Sequence, residues 1–375
     1  MRQIQNPTFG RDDTKVIKGV AILLMLLHHL WAFPERVFLT DGFSDTFLII
    51  GEYWYSYMGR FGKICVSIYL FLSGYGLMKS KQSGRFDLTG KVKGLYLSYW
   101  KVFIVFIPIA FLFFANQPAY CEVADIYSKY STYSKKETLL NFLGLSSSYN
   151  PEWYFFRTYL VALFTFPLIS QWMEGHSVAT NLAGIVVWSI LEATVFPAVG
   201  KLEVLGLPEH NLLFNRFFCQ SMPYTTCFWM GILMAKEDLL SKTQQRLRDN
   251  HLLNPIFGIF ILLCVVFLRN NWYGDILDFL FVPAMILSLL NILEYTPPIR
   301  KLLLLLGKQS TNMWYTHSFF CYYFYPFTRI VVYSRNALVS LITLCAMSYA
   351  SGCLLDWLWS KARLLKNIKR KASCQ

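Results

Sequence analysis

Long apolar stretches, each close to the length of a membrane-spanning helix, recur along the whole chain and alternate with short polar segments. A helix rises about 1.5 Å per residue, so about 20 apolar residues cross a hydrocarbon core of about 30 Å. No polar stretch is long enough for a large soluble domain, and the pattern predicts one all-α domain over residues 1–375, a polytopic membrane helix bundle. About ten transmembrane helices are predicted: 15–33, 61–78, 95–115, 153–172, 182–199, 212–235, 252–268, 276–293, 308 or 310 to 332, and 337–359.

Composition and charge fit a membrane protein better than a soluble one. The chain is 55% hydrophobic and 15% charged, whereas soluble domains are about 45–50% apolar and about 25% charged. The net charge of +13 would suggest nucleic acid in a soluble protein. Here roughly 22 Lys and Arg residues fall on one side of the predicted helices and roughly 9 on the other, as the positive-inside rule describes. The N-terminal arm (1–14) and the basic tail (360–375) are therefore both predicted to be cytoplasmic.

Several function classes lack their sequence signals. The chain has no zinc-spaced Cys/His set, no Walker loop and no Rossmann glycine pattern. Its 9 cysteines are scattered without a C-x-x-C pair, so we expect neither a metal site nor a disulfide framework. The first apolar run ends in Trp31-Ala32-Phe33-Pro34, which is no cleavage site, and it is predicted to remain as a signal anchor.

The first predicted helix carries ionisable side chains inside an apolar run. Lys18 and His29 are eleven residues apart, which places them on nearly the same face, about three turns and roughly 16 Å apart. His28 points about a quarter-turn away. A neutral imidazole can act as a general base toward a hydroxyl or accept an acyl group, and a cation can hold a phosphate-bearing donor. The structural alternative is a snorkelling lysine and a histidine bonded to a neighbouring helix.

Other polar or aromatic residues in apolar surroundings are weaker candidates. His317 lies deep in the ninth predicted helix, where function and an interhelical hydrogen bond are both open. Most of the aromatic excess, including the Tyr322-Tyr323 pair, is expected to serve the membrane belt and packing. The candidates for substrate contact are Arg60, Lys63, Arg157 and Arg216 as cations and Trp153 as a sugar-stacking ring.

Four motifs stand in order along nearly the whole chain. The first is Lys18, ten intervening residues and His29, and the others are C-V-S-I-Y-L-F-L-S-G-Y-G (65–76), N-P-E-W-Y-F (150–155) and L-G-K-Q-S-T-N-M-W-Y-T-H (306–317). Together they resemble the motifs of the acyltransferase-3 family of integral membrane O-acyltransferases, whose first helix carries a basic-x10-His signature. This resemblance implies about ten membrane helices, an acyl-CoA donor and roles for His29 and His317 in catalysis.

The chain departs from the family pattern at three places. Lys18 stands where arginine is commoner, and it is still expected to bind an anion. Lys91-Val92-Lys93 replaces an Arg-x-x-Arg pair. These two lysines are predicted to contact donor phosphates, although they lack the bidentate guanidinium fork. Thr158 stands where one subgroup has glutamate, so no carboxylate partner for His29 carries over.

The resemblance implies a bacterial plasma-membrane enzyme that moves an acyl group, expected to be acetyl from acetyl-CoA, to a sugar hydroxyl. The acceptor is expected to be a cell-surface polysaccharide or its lipid-linked precursor, with no nucleic-acid partner. A secondary transporter or flippase is the alternative, since intramembrane cations also suit carriers, although no inverted repeat is evident. A third hypothesis is a non-catalytic membrane scaffold. The sequence leaves open the acceptor sugar, acetyl versus succinyl, whether His29 is a base or an acyl carrier, and the oligomeric state.

Overall fold

The structure, a computed structural model, describes residues 9–37, 42–115, 129–202, 225–252, 254–273 and 275–372, and these residues are mainly helical. A short antiparallel hairpin of β1 (Leu48–Ile49) and β2 (Glu52–Tyr53) pairs Leu48 with Tyr53. The helices are α1 (Arg11–Trp31), α2 (Trp54–Gly62), α3 (Ile64–Gln82), α4 (Leu88–Phe113), α5 (Lys135–Phe142), α6 (Tyr154–Glu174), α7 (Val178–Leu202), α8 (Thr225–Lys236), α9 (Leu239–Asp249), α10 (Pro255–Leu268), α11 (Asp278–Glu294), α12 (Pro297–Ser318), α13 (Tyr325–Val332) and α14 (Ala337–Ala372).

Several helices are long and apolar enough to cross a membrane, and this supports the predicted all-α membrane fold. Large apolar side chains on their outer faces, such as Leu112 at 74% and Ile342 at 67% exposure, suit contact with lipid. The number of crossings stays a prediction, because α6, α11 and α12 fall outside this set and residues 203–224 lie outside the described part. Six candidate spans occur in the described residues: Arg11–Trp31, Trp54–Gln82, Leu88–Phe113, Val178–Val195, Pro255–Trp272 and Ala337–Lys361.

Helices extend beyond the apolar runs that predicted them. The segment 79–93 was expected to be a polar loop, but α3 continues to Gln82 and α4 begins at Leu88. The ninth helix was expected to begin at 308 or 310, but α12 begins at Pro297, a favoured residue in a first helical turn. The tail 360–375 is helical as far as Ala372. Hydropathy marks where a helix lies in hydrocarbon, whereas the backbone bonds that define a helix also form in water.

The ninth predicted helix is broken near its far end. After His317 the chain forms a π-helical turn over Phe319–Tyr323, and α13 starts at Tyr325 with Pro326 in its first turn. Proline cannot donate the hydrogen bond that would continue the preceding helix. The single helix predicted to end at 332 is therefore three consecutive segments: α12, the π turn and α13.

Glycines allow α1 and α12 to cross in backbone contact. A Cβ atom added to Gly19 would overlap the carbonyl oxygen of Leu303. A Cβ atom on Gly307 would overlap the carbonyl oxygen of Lys15. Small residues at such crossings let membrane helices approach closely, and this contact holds the two histidine-bearing helices together.

Polar contacts gather at two opposite ends of the helix bundle. At one end Phe9 N–H donates to Ser241 Oγ over 3.5 Å, and Lys79 pairs with Asp238 at 3.1 Å. Segments predicted to be cytoplasmic therefore meet one another. At the other end, among segments predicted to be outside, Lys63 pairs with Asp275 at 2.9 Å.

Candidate active site

His29 of α1 and His317 of α12 lie side by side, with ring centroids 4.9 Å apart. His317 is fully buried, and its Nδ1 donates to the Trp314 carbonyl over 2.6 Å. This bond assigns the proton of a neutral ring to Nδ1 and leaves Nε2 as an acceptor. Nε2 has no hydrogen-bond partner among the described residues. A buried unpaired acceptor is costly, so its presence beside a second imidazole favours a functional role.

Tyr322 is a site residue that the sequence did not single out. It lies in the π turn, and its hydroxyl donates to the backbone carbonyl of His29. The same oxygen is 3.5 Å from His29 Nδ1. Tyr322 therefore contacts the candidate catalytic histidine rather than the membrane belt. Nothing in a Tyr-Tyr pair signals this contact, since it depends on the turn that follows α12.

His28 has a different partner from its neighbour. Its Nδ1 donates to the Gly59 carbonyl of α2 over 2.8 Å. Gly59 packs directly against the backbone of Ala32, which brings α2 against the end of α1. His28 thus makes the interhelical hydrogen bond that the structural alternative describes, whereas His29 turns toward α12.

A half-open cavity of about 310 Å³ brings Lys18 and Lys91 together. In the described part of the chain, neither ammonium group has a salt-bridge partner. Lys93, two residues beyond Lys91, is exposed and absent from the lining. The rest of the wall is largely aromatic and hydroxylated: Tyr69, Ser73, Ser98, Phe155, Phe156, Tyr159, Thr311, Trp314 and Tyr315.

Trp314 connects the cavity to the histidine pair. Its ring lines the cavity, and its carbonyl accepts the Nδ1–H of His317. The cavity therefore extends from Lys18 and Lys91 to Trp314, which lies one helical turn before His317 in α12. It is concave and mostly apolar with a few polar groups, as small-molecule sites generally are.

Two of the predicted substrate-binding cations are paired elsewhere. Arg60 forms a salt bridge with Glu52, and Lys63 pairs with Asp275 at 2.9 Å. Both lie where predicted outer segments meet, and neither lines the described cavity. Their contact with substrate stays a prediction.

The remaining predicted substrate residues lie in packed surroundings or outside the described chain. Trp153 is 2% exposed and its Nε1 donates to the Tyr315 carbonyl over 3.0 Å. Arg157 is buried and lies 3.4 Å from the Ser147 hydroxyl. Arg216 falls within residues 203–224, outside the described residues.

Glu152 provides a buried carboxyl group next to the π turn. Its Oε2 accepts the hydroxyl proton of Tyr323 over 2.6 Å. Burial raises the pKa of Glu152 above its usual value, an effect that the bond from Tyr323 partly opposes.

Thr158, at the position where a family subgroup has glutamate, is buried with no partner for its hydroxyl among the described residues.

The family follows from a match over most of the chain. A family model described as an acyltransferase domain matches residues 13–357. The chain therefore belongs to the acyltransferase-3 family, a class of membrane acyltransferases, and the resemblance seen in the four motifs is confirmed. No curated protein and no solved structure matches it.

Proposed function

We propose that this protein transfers an acyl group, acetyl in the first instance, from cytoplasmic acyl-CoA to a sugar hydroxyl. The acceptor is a cell-surface polysaccharide or its lipid-linked precursor, and the reaction takes place in the bacterial plasma membrane. The observation that carries the proposal is the His29–His317 pair, 4.9 Å apart, next to a cavity lined by two lysines that form no salt bridge with the described residues. Family membership supports acyl transfer in general.

The donor side of the proposal rests on the cavity. Lys18 and Lys91 would bind the phosphates of CoA, because unpaired ammonium groups form charge-assisted hydrogen bonds with phosphate oxygens. The aromatic wall would guide the pantetheine arm past Trp314. The thioester carbonyl would then lie beside His29, three turns along α1 from Lys18.

Two reaction routes fit the histidine pair. In the first, His29 removes the proton of the sugar hydroxyl, the hydroxyl oxygen attacks the thioester carbonyl, and the carbon–sulfur bond breaks. The His29 proton then passes to the departing thiolate of CoA. In the second, a ring nitrogen of His29 attacks the thioester carbonyl, the carbon–sulfur bond breaks and CoA leaves as the thiolate. The sugar hydroxyl oxygen then attacks the acyl carbon, and the bond from that carbon to His29 breaks. His317 Nε2 takes the hydroxyl proton, which passes to the CoA thiolate.

The acceptor would approach from the opposite end of the helix bundle. The predicted outer segments here are 35–60 and 116–150, of which 38–41 and 116–128 lie outside the described residues. Tyr322 lies next to Arg36 of the first of these segments, and its hydroxyl donates to the backbone carbonyl of His29. It would hold the imidazole in place while the hydroxyl binds.

The test is release of free CoA from acetyl-CoA by the purified protein, with and without crude cell-envelope glycan. We expect glycan-dependent release by the wild type and its loss in His29→Ala, with the acyl group recovered on the glycan. Full activity of His29→Ala would contradict the assigned centre.

A donor series separates an enzyme from a carrier. If the protein releases no free CoA from acetyl-CoA, succinyl-CoA or other acyl-CoA donors, the proposal of acyl transfer is wrong. The carrier alternative then predicts accumulation of glycan precursor in sealed vesicles without covalent change.

A further inference from the structure

Arg36 is a cation at the far end of α1 that the reaction scheme above does not use. It ends a 3-10 turn, Pro34–Arg36, in which proline occupies the first position. Its guanidinium carbon lies 4.2 Å from the Phe33 ring centroid, a cation–π distance. The side chain is half-buried, and in the described part of the chain no carboxylate forms a salt bridge with it.

Tyr322 places this cation next to the candidate active centre. The Arg36 guanidinium carbon and the His29 ring centroid are each 5.9 Å from the Tyr322 ring centroid. One sugar unit, or two in succession, can therefore reach from the imidazole to the guanidinium. His317 Nε2, buried and without a partner among the described residues, belongs to the same cluster.

The nearby carboxyl group of Glu152 forms no salt bridge with Arg36 among the described residues. Arg36 acts on the charge of Glu152, but burial has the larger effect and raises the pKa of that carboxyl group. Its Oε2 is already bonded to the Tyr323 hydroxyl. The guanidinium stays charged at any physiological pH and offers several N–H donors in one plane. Such a fork binds a carboxylate or a phosphate through two parallel hydrogen bonds.

We propose that Arg36 binds an anionic group of the acceptor, a carboxylate on an acidic sugar or the phosphate of a lipid-linked sugar, while the acceptor hydroxyl lies at His29. This inference rests on the proposed function and narrows its acceptor to anionic glycans. Phe33 packs against the guanidinium, and the Tyr322 ring lies near both the guanidinium and the imidazole.

Direct binding tests the site without requiring turnover. Purified protein in detergent is titrated with oligogalacturonate, with polyprenyl monophosphate and with uncharged dextran. For the wild type we expect one anionic probe, and not dextran, to bind. Arg36→Gln should weaken that binding at least tenfold, and Arg36→Lys less, because the charge remains while the fork is lost. Arg335→Gln, which alters an exposed arginine in the loop before α14, should change it less than twofold.

The identity of the bound probe shows whether the anionic group belongs to an acidic sugar or to a lipid phosphate. Binding of oligogalacturonate alone assigns an acidic sugar, and binding of polyprenyl monophosphate alone assigns the lipid phosphate. If neither binds wild type, or if Arg36→Gln and Arg335→Gln weaken binding equally, the inference is wrong. Raising the salt from about 0.05 M to about 0.5 M should weaken the wild-type interaction, which keeps the test decisive if Arg36→Gln does not fold.

Turnover distinguishes failure of the inference from failure of the proposed function. With acetyl-CoA as donor, Arg36→Gln should raise KM for the anionic acceptor at least tenfold and leave KM for acetyl-CoA unchanged. If the protein transfers no acyl group but binds the anionic probe through Arg36, the proposed enzyme activity is wrong and the proposed anion site is supported. If the protein transfers the acyl group equally well to anionic and neutral acceptors, the proposed enzyme activity is supported and the proposed anion site is wrong.

Discussion

Two adjacent histidines have different expected roles because their side chains contact different partners. His28 and His29 are adjacent in the sequence, yet one donates to a backbone carbonyl of α2 and the other lies against an imidazole of α12. The basic-x10-His spacing singles out His29 from the sequence. The family resemblance also points to His317. That His317 and Tyr322, about 290 residues away, lie against His29 is decided by folding.

The free nitrogen of His317 can be removed while its hydrogen bond is kept. Asparagine at position 317 can still donate to the Trp314 carbonyl, but it lacks Nε2. We expect His317→Asn to lower kcat about 10²-fold or more, the usual size of acid–base contributions. Steady-state CoA release measures this. His28→Asn, which keeps the bond to Gly59, is the matched control and should retain most of the activity.

The structure distinguishes two lysines that the sequence predicts to have the same role in binding donor phosphates. Lys91 lines the cavity and Lys93 does not, so Lys91→Ala should raise KM for acetyl-CoA about tenfold. Lys93→Ala should have the smaller effect, and kcat should change little in both, because the lost contact is made equally in the ground and transition states. Initial rates over a range of acetyl-CoA concentration give both values. An equal rise in KM for the two variants would contradict the placement.

At the scale of elements, the contact between α1 and α12 creates the site. Neither helix contains it alone, and the crossing is close enough that glycine backbones touch on both sides. The sequence predicts both helices from hydropathy. It does not predict their crossing, because an isolated glycine in a helix has no unique partner.

A methyl group at this crossing should separate the two histidines. Gly307→Ala would meet the Lys15 carbonyl, so we expect a cost of about 1–3 kcal/mol and a marked loss of CoA release. A thiol-reactive dye that reports exposure of the buried Cys65, Cys227 and Cys321 on heating measures the stability.

Gly76→Ala is the control for that change. Nothing lies within 4 Å of a Cβ atom at Gly76, which is also helical. Alanine there should leave stability unchanged or raise it by up to about 1 kcal/mol, since alanine favours a helix more than glycine does. Equal effects of the two substitutions would show that the α1–α12 contact is not tight.

At the scale of the whole molecule, the arrangement of charge and the contacts between loops agree. Segments predicted to share a side of the membrane meet in the structure, as Lys79 meets Asp238 and Lys63 meets Asp275. This agreement supports the alternating order of helices. It leaves open which end of the bundle faces the cytoplasm, and the positive-inside count predicts that end.

Labelling of single cysteines decides the orientation. In a cysteine-free background, Ser334→Cys lies in the loop before α14 and Ser83→Cys in the loop before α4. A membrane-impermeant maleimide should label position 334 in intact cells and position 83 only after permeabilisation. The reverse pattern would invert the predicted topology and place the lysine-lined cavity outside.

The sequence by itself determined the membrane class, most of the helices and, through four ordered motifs, the family. It could do so because hydropathy and spacing are local properties of the chain. Only the tertiary structure decided that His29 meets His317, that Lys91 rather than Lys93 joins Lys18, and that the break after α12 carries Tyr322 to the site. These features depend on how helices distant in sequence pack, and packing is set by side-chain shape and glycine contacts that no local pattern records.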